Sequence, residues 1–235
     1  MARRWAALLD PESWLWRLRR SLLYSVLILG GMTMMLPFVW MLSTSLKDQV
    51  AVFTLPLQWI PRPLVFQYYL EIWQVVPFAK FFLNSVFVAA CVTLGHVLTS
   101  AWAAYAFSRL RFPGRDGLFF GYIATMMIPG SVTLIPVFIL MKFFGWIDTY
   151  KALIIPGIFS AYGTFLLRQF FLTIPKDFED AAKIDGASAW RIFWRIILPL
   201  SKPALATLTL FTFMGYWGSF MWPLLVIDSV EKKTL

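Results

Sequence analysis

Charge is what this chain has least of. Only 14% of its 235 residues are Asp, Glu, Lys or Arg, while 60% are hydrophobic and the mean hydropathy is +0.70. A soluble domain carries about 25% charged residues, so a soluble globular protein is excluded and an integral membrane protein is indicated. The single cysteine, Cys91, lies in an apolar run, allows no intrachain disulfide and reads as a packing residue. One histidine and one cysteine exclude a usual zinc site. No Gly-rich phosphate loop of the Walker type occurs, and no serine within a long apolar run has a plausible base beside it. An ATPase and an intramembrane enzyme are therefore both disfavoured. Away from their ends, the apolar runs contain no Asp, Glu, Lys or Arg. Ion-driven carriers tend to place carboxylates at such depth, which argues against a self-powered transporter. His96 is the one ionisable residue near a mid-run position, and a hydrogen bond to a neighbouring helix explains it most simply.

The length of the apolar runs defines the fold class. The runs are Ser21–Leu42, Phe81–Phe107, Gly117–Met141, Ala152–Leu172 and Lys202–Ile227. At ~1.5 Å per residue each spans the ~30 Å hydrocarbon core, so the expectation is an all-α, polytopic membrane protein with about five transmembrane helices. The first run is too long for a cleavable signal peptide and is read as an uncleaved span. Before it, Asp10-Pro11 is a good helix start. Trp14, Leu15, Leu18, Arg17, Arg19 and Arg20 suggest a short interfacial helix, making 1–20 a separate cytoplasmic segment ahead of a membrane domain at 21–235.

The net charge of +9 reflects topology rather than nucleic acid. With the N-terminus in the cytoplasm, 14 of the 21 Lys and Arg residues fall inside, as the positive-inside rule requires. Residues 43–80 then lie outside. Their Pro56, Pro61, Pro63 and Pro77 break long helices among Trp59, Phe66, Tyr68, Tyr69 and Trp73, a surface on which a soluble partner could dock. Helix breakers also fall inside the runs: Pro129-Gly130, Pro136 and Pro156-Gly157. They are compatible with a gated pathway and equally with ordinary helix packing. The stretch Gly215–Pro223 combines glycine with aromatics. Tyr216, Trp217 and Ser219 are candidate pathway residues suited to sugar rings, although an interfacial aromatic belt accounts for the same residues and is preferred.

One polar island stands among the apolar runs, at 173–201, and the topology puts it in the cytoplasm. Pro175 and the acidic Asp177, Glu179 and Asp180 favour a helix start, and Gly186 is placed to end that helix in a left-handed cap. A second helix is expected from about Ala187. On it Trp190, Phe193, Trp194 and Ile197 form one apolar stripe, flanked by Arg191 and Arg195. On physical grounds alone this compact knob fits either lipid headgroups or a groove in a partner.

The island resembles the EAA loop of inner-membrane permease subunits of ABC importers, in the form of the carbohydrate, maltose-type branch. The matching residues are Asp180-Ala181-Ala182-Lys183-Ile184-Asp185-Gly186-Ala187-Ser188, then Arg191-Ile192-Phe193, then Ile196-Ile197-Leu198-Pro199. Ser43–Lys47, Asn84-Ser85 and Ser108–Gly114 resemble the same family. Asp180 stands where the family usually has Glu, with Glu179 beside it. Trp217-Gly218-Ser219-Phe220 replaces the family's Trp-Asn-Asp/Glu-Phe. A sixth span, usual in the family, does not follow, and a truncation is suspected.

The resemblance implies a permease fold and import of a sugar or sugar-like solute by alternating access in a bacterial-type inner membrane. It implies partners as well: a second homologous permease, a cytoplasmic ATPase dimer holding ATP and Mg, and an extracytoplasmic solute-binding protein. No cofactor is then expected on this chain. Residues 177–198 would couple to the ATPase through Glu179, Asp180, Ala181, Ala182, Asp185 and Gly186. Two other readings remain: the same class importing a polyol or glycerol phosphate ester, and a non-transporting membrane scaffold whose basic loop binds anionic lipid.

Overall fold

The computed structural model describes residues 14–53 and 58–235. The expected helix start at Asp10-Pro11, and Pro56, lie outside these. Residues up to Val75 and those from Val76 onward form two compact units.

In the first unit, α1 runs unbroken from Trp14 to Ser45. Trp14–Arg20, expected as a separate interfacial helix, are instead its first turns. No glycine or proline lies between Trp14 and Tyr24 to end a helix there. Arg20 lies over the Trp16 ring at 4.9 Å and donates to the Tyr24 hydroxyl at 3.1 Å, binding successive turns together. After α1, Ser43 Oγ donates to the Trp59 carbonyl at 2.6 Å, and Lys47 is buried with its ammonium 3.9 Å from the Trp40 ring centre. Among its described residues the proline-rich connection carries only short helices, Gln49–Val52 and α2 (Tyr68–Val75), as its breakers require.

The second unit is built around α3 (Phe78–Arg109), which packs most extensively on α7 (Ala161–Thr173) and then on α10 (Lys202–Trp217). Small residues on α3 permit the close approach that drives helix association in lipid: Ala89, Ala101 and Ala104 are buried, and Gly95 lies against Ile158. Two apolar clusters result. Tyr105, Leu167, Phe171, Ile192, Phe193 and Ile197 fill the one at the Arg109 end of α3, and Val88, Val92, Met141, Leu153 and Val226 the one toward the Phe78 end.

Among the described residues, three helices are long and apolar enough to cross a bilayer, or up to five if each of two bent pairs counts as one span. The third expected span is one such pair. α4 (Arg115–Ala124) with the turn to Met127 meets α5 (Gly130–Phe143) at 99°, where Pro129 supplies no amide hydrogen to continue the first helix. The fourth begins as α6 (Tyr150–Ile154), tightens into a 3₁₀ turn at Ile155–Gly157, and resumes as α7. The fifth ends earlier than expected. α10 stops at Trp217, the chain breaks at Gly218–Phe220, and α11 occupies Met221–Val226. Pro223 lacks the amide hydrogen a continuous helix would need four residues on from Ser219.

Beyond α11 a strap is pinned near the Phe78 end of α3. Asn84 Nδ2 donates to the carbonyls of Glu231 and Lys233, both at 2.9 Å, while Tyr150 Oη donates to Asn84 Oδ1 at 2.9 Å. Asp148, in the left-handed region at φ 58°, accepts from the Ser229 amide at 3.0 Å, the Ser229 hydroxyl, and Lys232 Nζ at 3.0 Å.

Candidate functional site

The polar island folds as two short helices. α8 (Asp177–Ile184) has three acidic residues in its first turn and Lys183 in its last, complementing the helix dipole at both ends. Asp180 pairs with Lys183 across 2.9 Å, and this ammonium holds the Asp180 carboxyl below the usual carboxylate range. The helix closes as a Schellman motif. Gly186, at φ 75°, donates to the Lys183 carbonyl at 3.0 Å, and Ala187 donates to Ala182 at 2.9 Å. Only glycine adopts that backbone without strain, so the expected left-handed cap is present.

Ser188 caps the next helix by accepting from the Arg191 amide at 3.3 Å. This is α9 (Ala189–Leu200), which starts two residues later than expected, widens into a π turn at Phe193–Ile197, and meets α10 at 77°. Its stripe does not stay whole. Phe193 and Ile197 enter the core, while Trp190 and Trp194 are 61% and 40% exposed. The wider turn shifts the register of the stripe, and the core around Tyr105, Leu167 and Phe171 takes in only Phe193 and Ile197 from it.

The six candidate coupling residues divide in the same way. Asp180, Ala181, Asp185 and Gly186 are exposed, whereas Ala182 packs against the core. Glu179 departs from its expected place. It is 5% exposed and turned inward, 3.0 Å from Arg109 Nη1, because α8 lies on the base of α3 and the Arg109 charge draws the carboxylate in. Two residues missed in the sequence are Phe178 and Ile184, 51% and 87% exposed. Ile184 shares the outward face with Asp180 and Ala181 by helical spacing. An apolar residue among charges on a solvated helix was the available signal.

A second feature is a cavity of about 640 Å³ where the broken helices meet. Gly130, Thr133 and Val137 line it from α5, Pro156 and Gly157 from the 3₁₀ turn, Gly215 and Tyr216 from the end of α10, and Ser219 from the break that follows. Irregular backbone at membrane depth is tolerated where it lines a cavity or is buried in protein. No charged side chain is in this lining. Of the candidate pathway residues, Tyr216 and Ser219 face the cavity. Trp217 does not: it packs edge-on against Phe82 at 5.5 Å and stacks on Phe213 at 6.0 Å. Behind the cavity, His96 Nδ1 donates to the Gly157 carbonyl at 3.1 Å, the interhelical bond expected of it.

Spans broken around an uncharged cavity, with a polar two-helix knob on the same helices, define a polytopic transport protein of the permease class. The sequence profile described as "Binding-protein-dependent transport system inner membrane component" matches residues 17–231, and the chain belongs to that family. It is the transmembrane permease subunit of an ATP-binding-cassette importer of the inner membrane. The chain is 37% identical over 215 residues to the sn-glycerol-3-phosphate transport system permease protein UgpE of Yersinia enterocolitica, covering 89% of this chain and 76% of that one. It is 36% identical over 217 residues to the Escherichia coli K12 protein of the same name, covering 90% and 77%. Among solved structures it is similar to a bacterial ABC transporter involved in the import of the acidic polysaccharide alginate. There the TM-score is 0.81 with 27% identity, over 94% of this chain and 78% of that one. A structure of a bacterial alginate ABC transporter in complex with a pentasaccharide-bound periplasmic protein shares the fold at a TM-score of 0.60 and 16% identity.

Proposed function

We propose that the knob couples this permease to a cytoplasmic ATPase dimer, and that with a second, homologous permease the chain forms a pathway for a polyhydroxylated, sugar-like solute. ATP and Mg reside on the ATPase, and closure of its two copies moves the knob and the spans above it to alternate access. The N-terminus and residues 173–201 face the cytoplasm. Residues 43–80 face outward, toward a solute-binding protein that delivers the solute. The observation that carries the coupling is the outward face of α8: Asp180, Ala181 and an almost fully exposed Ile184, held on a rigid Schellman-closed helix. A large apolar side chain in that position gains from being covered by a protein groove. Membership in a transport family sets the lipid-binding scaffold aside.

For the solute, the hydroxyls of Thr133, Tyr216 and Ser219 with a charge-free lining suit a neutral sugar or polyol. A second reading, a glycerol phosphate ester, is favoured by the names of the relatives. Its phosphate would then be met by cationic groups of the second permease. Uptake competition between sn-glycerol 3-phosphate and neutral sugars distinguishes the two.

The coupling is tested in the complete importer. Deleting 177–198 is expected to release the ATPase on co-purification. Asp180→Lys and Gly186→Pro are expected to abolish uptake at unchanged membrane insertion. Proline can adopt neither φ 75° nor the amide bond to Lys183. Normal uptake by these two variants would overturn the coupling role.

A further inference from the structure

Arg109 closes α3 at the level of the knob, and its guanidinium reaches three elements at once. Nη1 lies 3.0 Å from Glu179 Oε1 of α8, and Nη2 donates to the carbonyls of Ile174, at 2.6 Å, and Phe171. Those carbonyls belong to the end of α7 and the residue that follows it. The side chains of Arg109 and Glu179 are 2% and 7% exposed. Tyr105, one turn earlier on the same face of α3, donates to the Ala189 carbonyl at 3.1 Å, where α9 begins. Each helix of the knob is therefore tied to one residue of a single turn of α3. Around the ties, Phe171, Ile174, Ile192 and Phe193 are buried together.

A desolvated ion pair is poor value for stability compared with apolar packing, because both ions lose water. What it supplies is geometry. The planar guanidinium fixes the direction of several bonds at once, and a slip of α8 would leave Arg109 charged, buried and unpaired.

We infer that Arg109, Glu179 and Tyr105 form a two-point strut that makes the knob, α3 and the end of α7 one rigid body, so that displacement of α8 is delivered undiminished to those spans. Compliance then lies at the breaks beyond it: the 77° bend before α10, the 99° bend at Pro129-Gly130, and Gly218. This rests on the coupling role proposed for the knob. Arg109, Glu179 and Tyr105 act as positioning residues, and none of them is on the docking face.

The test uses the complete importer in proteoliposomes, reading solute taken up per ATP hydrolysed and, in the same preparation, ATPase retained on co-purification. Glu179→Gln preserves shape and removes the charge. It is expected to retain the ATPase fully while uptake per ATP falls about tenfold, on the scale of coupling between linked sites. Glu179→Asp should recover part of that loss, and Tyr105→Phe should show a smaller one. Unchanged uptake per ATP in Glu179→Gln overturns the strut, as does loss of the ATPase, which would make Glu179 a docking contact.

A second measurement leaves the strut intact, so a variant that fails to assemble does not end the test. Spin labels at Leu110→Cys and Asp177→Cys, in a Cys91→Ser background, should keep one separation with and without ATP. A separation that changes overturns the proposal. Asp180→Lys and Ile184→Asp test the underlying coupling role separately. If the ATPase remains bound to them, that role fails. If it leaves while Glu179→Gln stays fully coupled, only the strut fails.

Discussion

Gly163 shows how little room the α3–α7 contact leaves. A Cβ there would lie 2.5 Å from Ser100 Oγ and 2.8 Å from His96 Nε2, both on buried side chains. Gly163→Ala must therefore displace the Ser100 and His96 side chains or the helices that carry them, at about 1–3 kcal/mol for overpacking a full core. Gly121→Ala, with nothing within 4 Å of the new Cβ, serves as the control. Thermal unfolding of the detergent-purified protein should show a lower midpoint for the first and little change for the second. Gly186 is constrained for the opposite reason. It has open space around it, but its φ of 75° costs an L-residue about 1–2 kcal/mol. Gly186→Ala is thus expected to weaken coupling partially, measured as uptake per ATP, where Gly186→Pro abolishes it. The Gly186 requirement was legible in the sequence because a helix cap is local. That of Gly163 was not, since its partners sit on another helix.

At the scale of elements, the end of α10 separates neighbouring side chains into different surroundings. Tyr216 faces the cavity and Trp217 packs on Phe82 and Phe213. Tyr216→Phe should raise the KM for uptake about 3–10-fold, the equivalent of one hydrogen bond. Trp217→Phe should leave KM unchanged and lower the thermal midpoint. An unchanged KM in Tyr216→Phe would remove that residue from the pathway. The strap beyond α11 depends on pH through Asp148. The Ser229 hydroxyl, then its amide, then Lys232 hold this carboxyl far below the ordinary carboxylate range. A depressed native pKa contributes stability that is complete above the unfolded value, about 3.9, and is lost as pH falls below it. Amide exchange across 226–233, expressed as a protection factor so that the intrinsic pH dependence of exchange is removed, should accordingly be slow at neutral pH and lose its protection below about pH 4. In Asp148→Asn, which tolerates the left-handed backbone, it should already be fast at neutral pH.

For the whole molecule, orientation rests on the distribution of Lys and Arg alone. Single cysteines in a Cys91→Ser background report it through a membrane-impermeant maleimide. Lys176→Cys and Arg191→Cys should label only from the cytoplasmic side, and Lys151→Cys and Lys232→Cys only from outside. The reverse pattern would overturn the N-in topology, and with it the cytoplasmic placement of the knob. The all-α class and most span positions were readable because lipid forces each crossing segment to be a long apolar helix with its own backbone bonds satisfied. The bends were readable only as breakers. Pro129-Gly130 announced an interruption, but the 99° turn depends on what packs against each half.

The sequence by itself determined that this chain crosses a membrane, that it carries no charge midway along its spans, and that one acidic, glycine-capped island belongs to the permease family. These are properties of composition, period and local hydrogen bonding, which act over a few residues. Tertiary structure alone decided which side of the island each residue takes. Glu179 and Asp180 are adjacent and chemically alike, yet one is buried against Arg109 and the other meets solvent. A helix turns about 100° per residue, so the placement of α8 on the base of α3 puts neighbouring carboxylates on opposite sides of the knob.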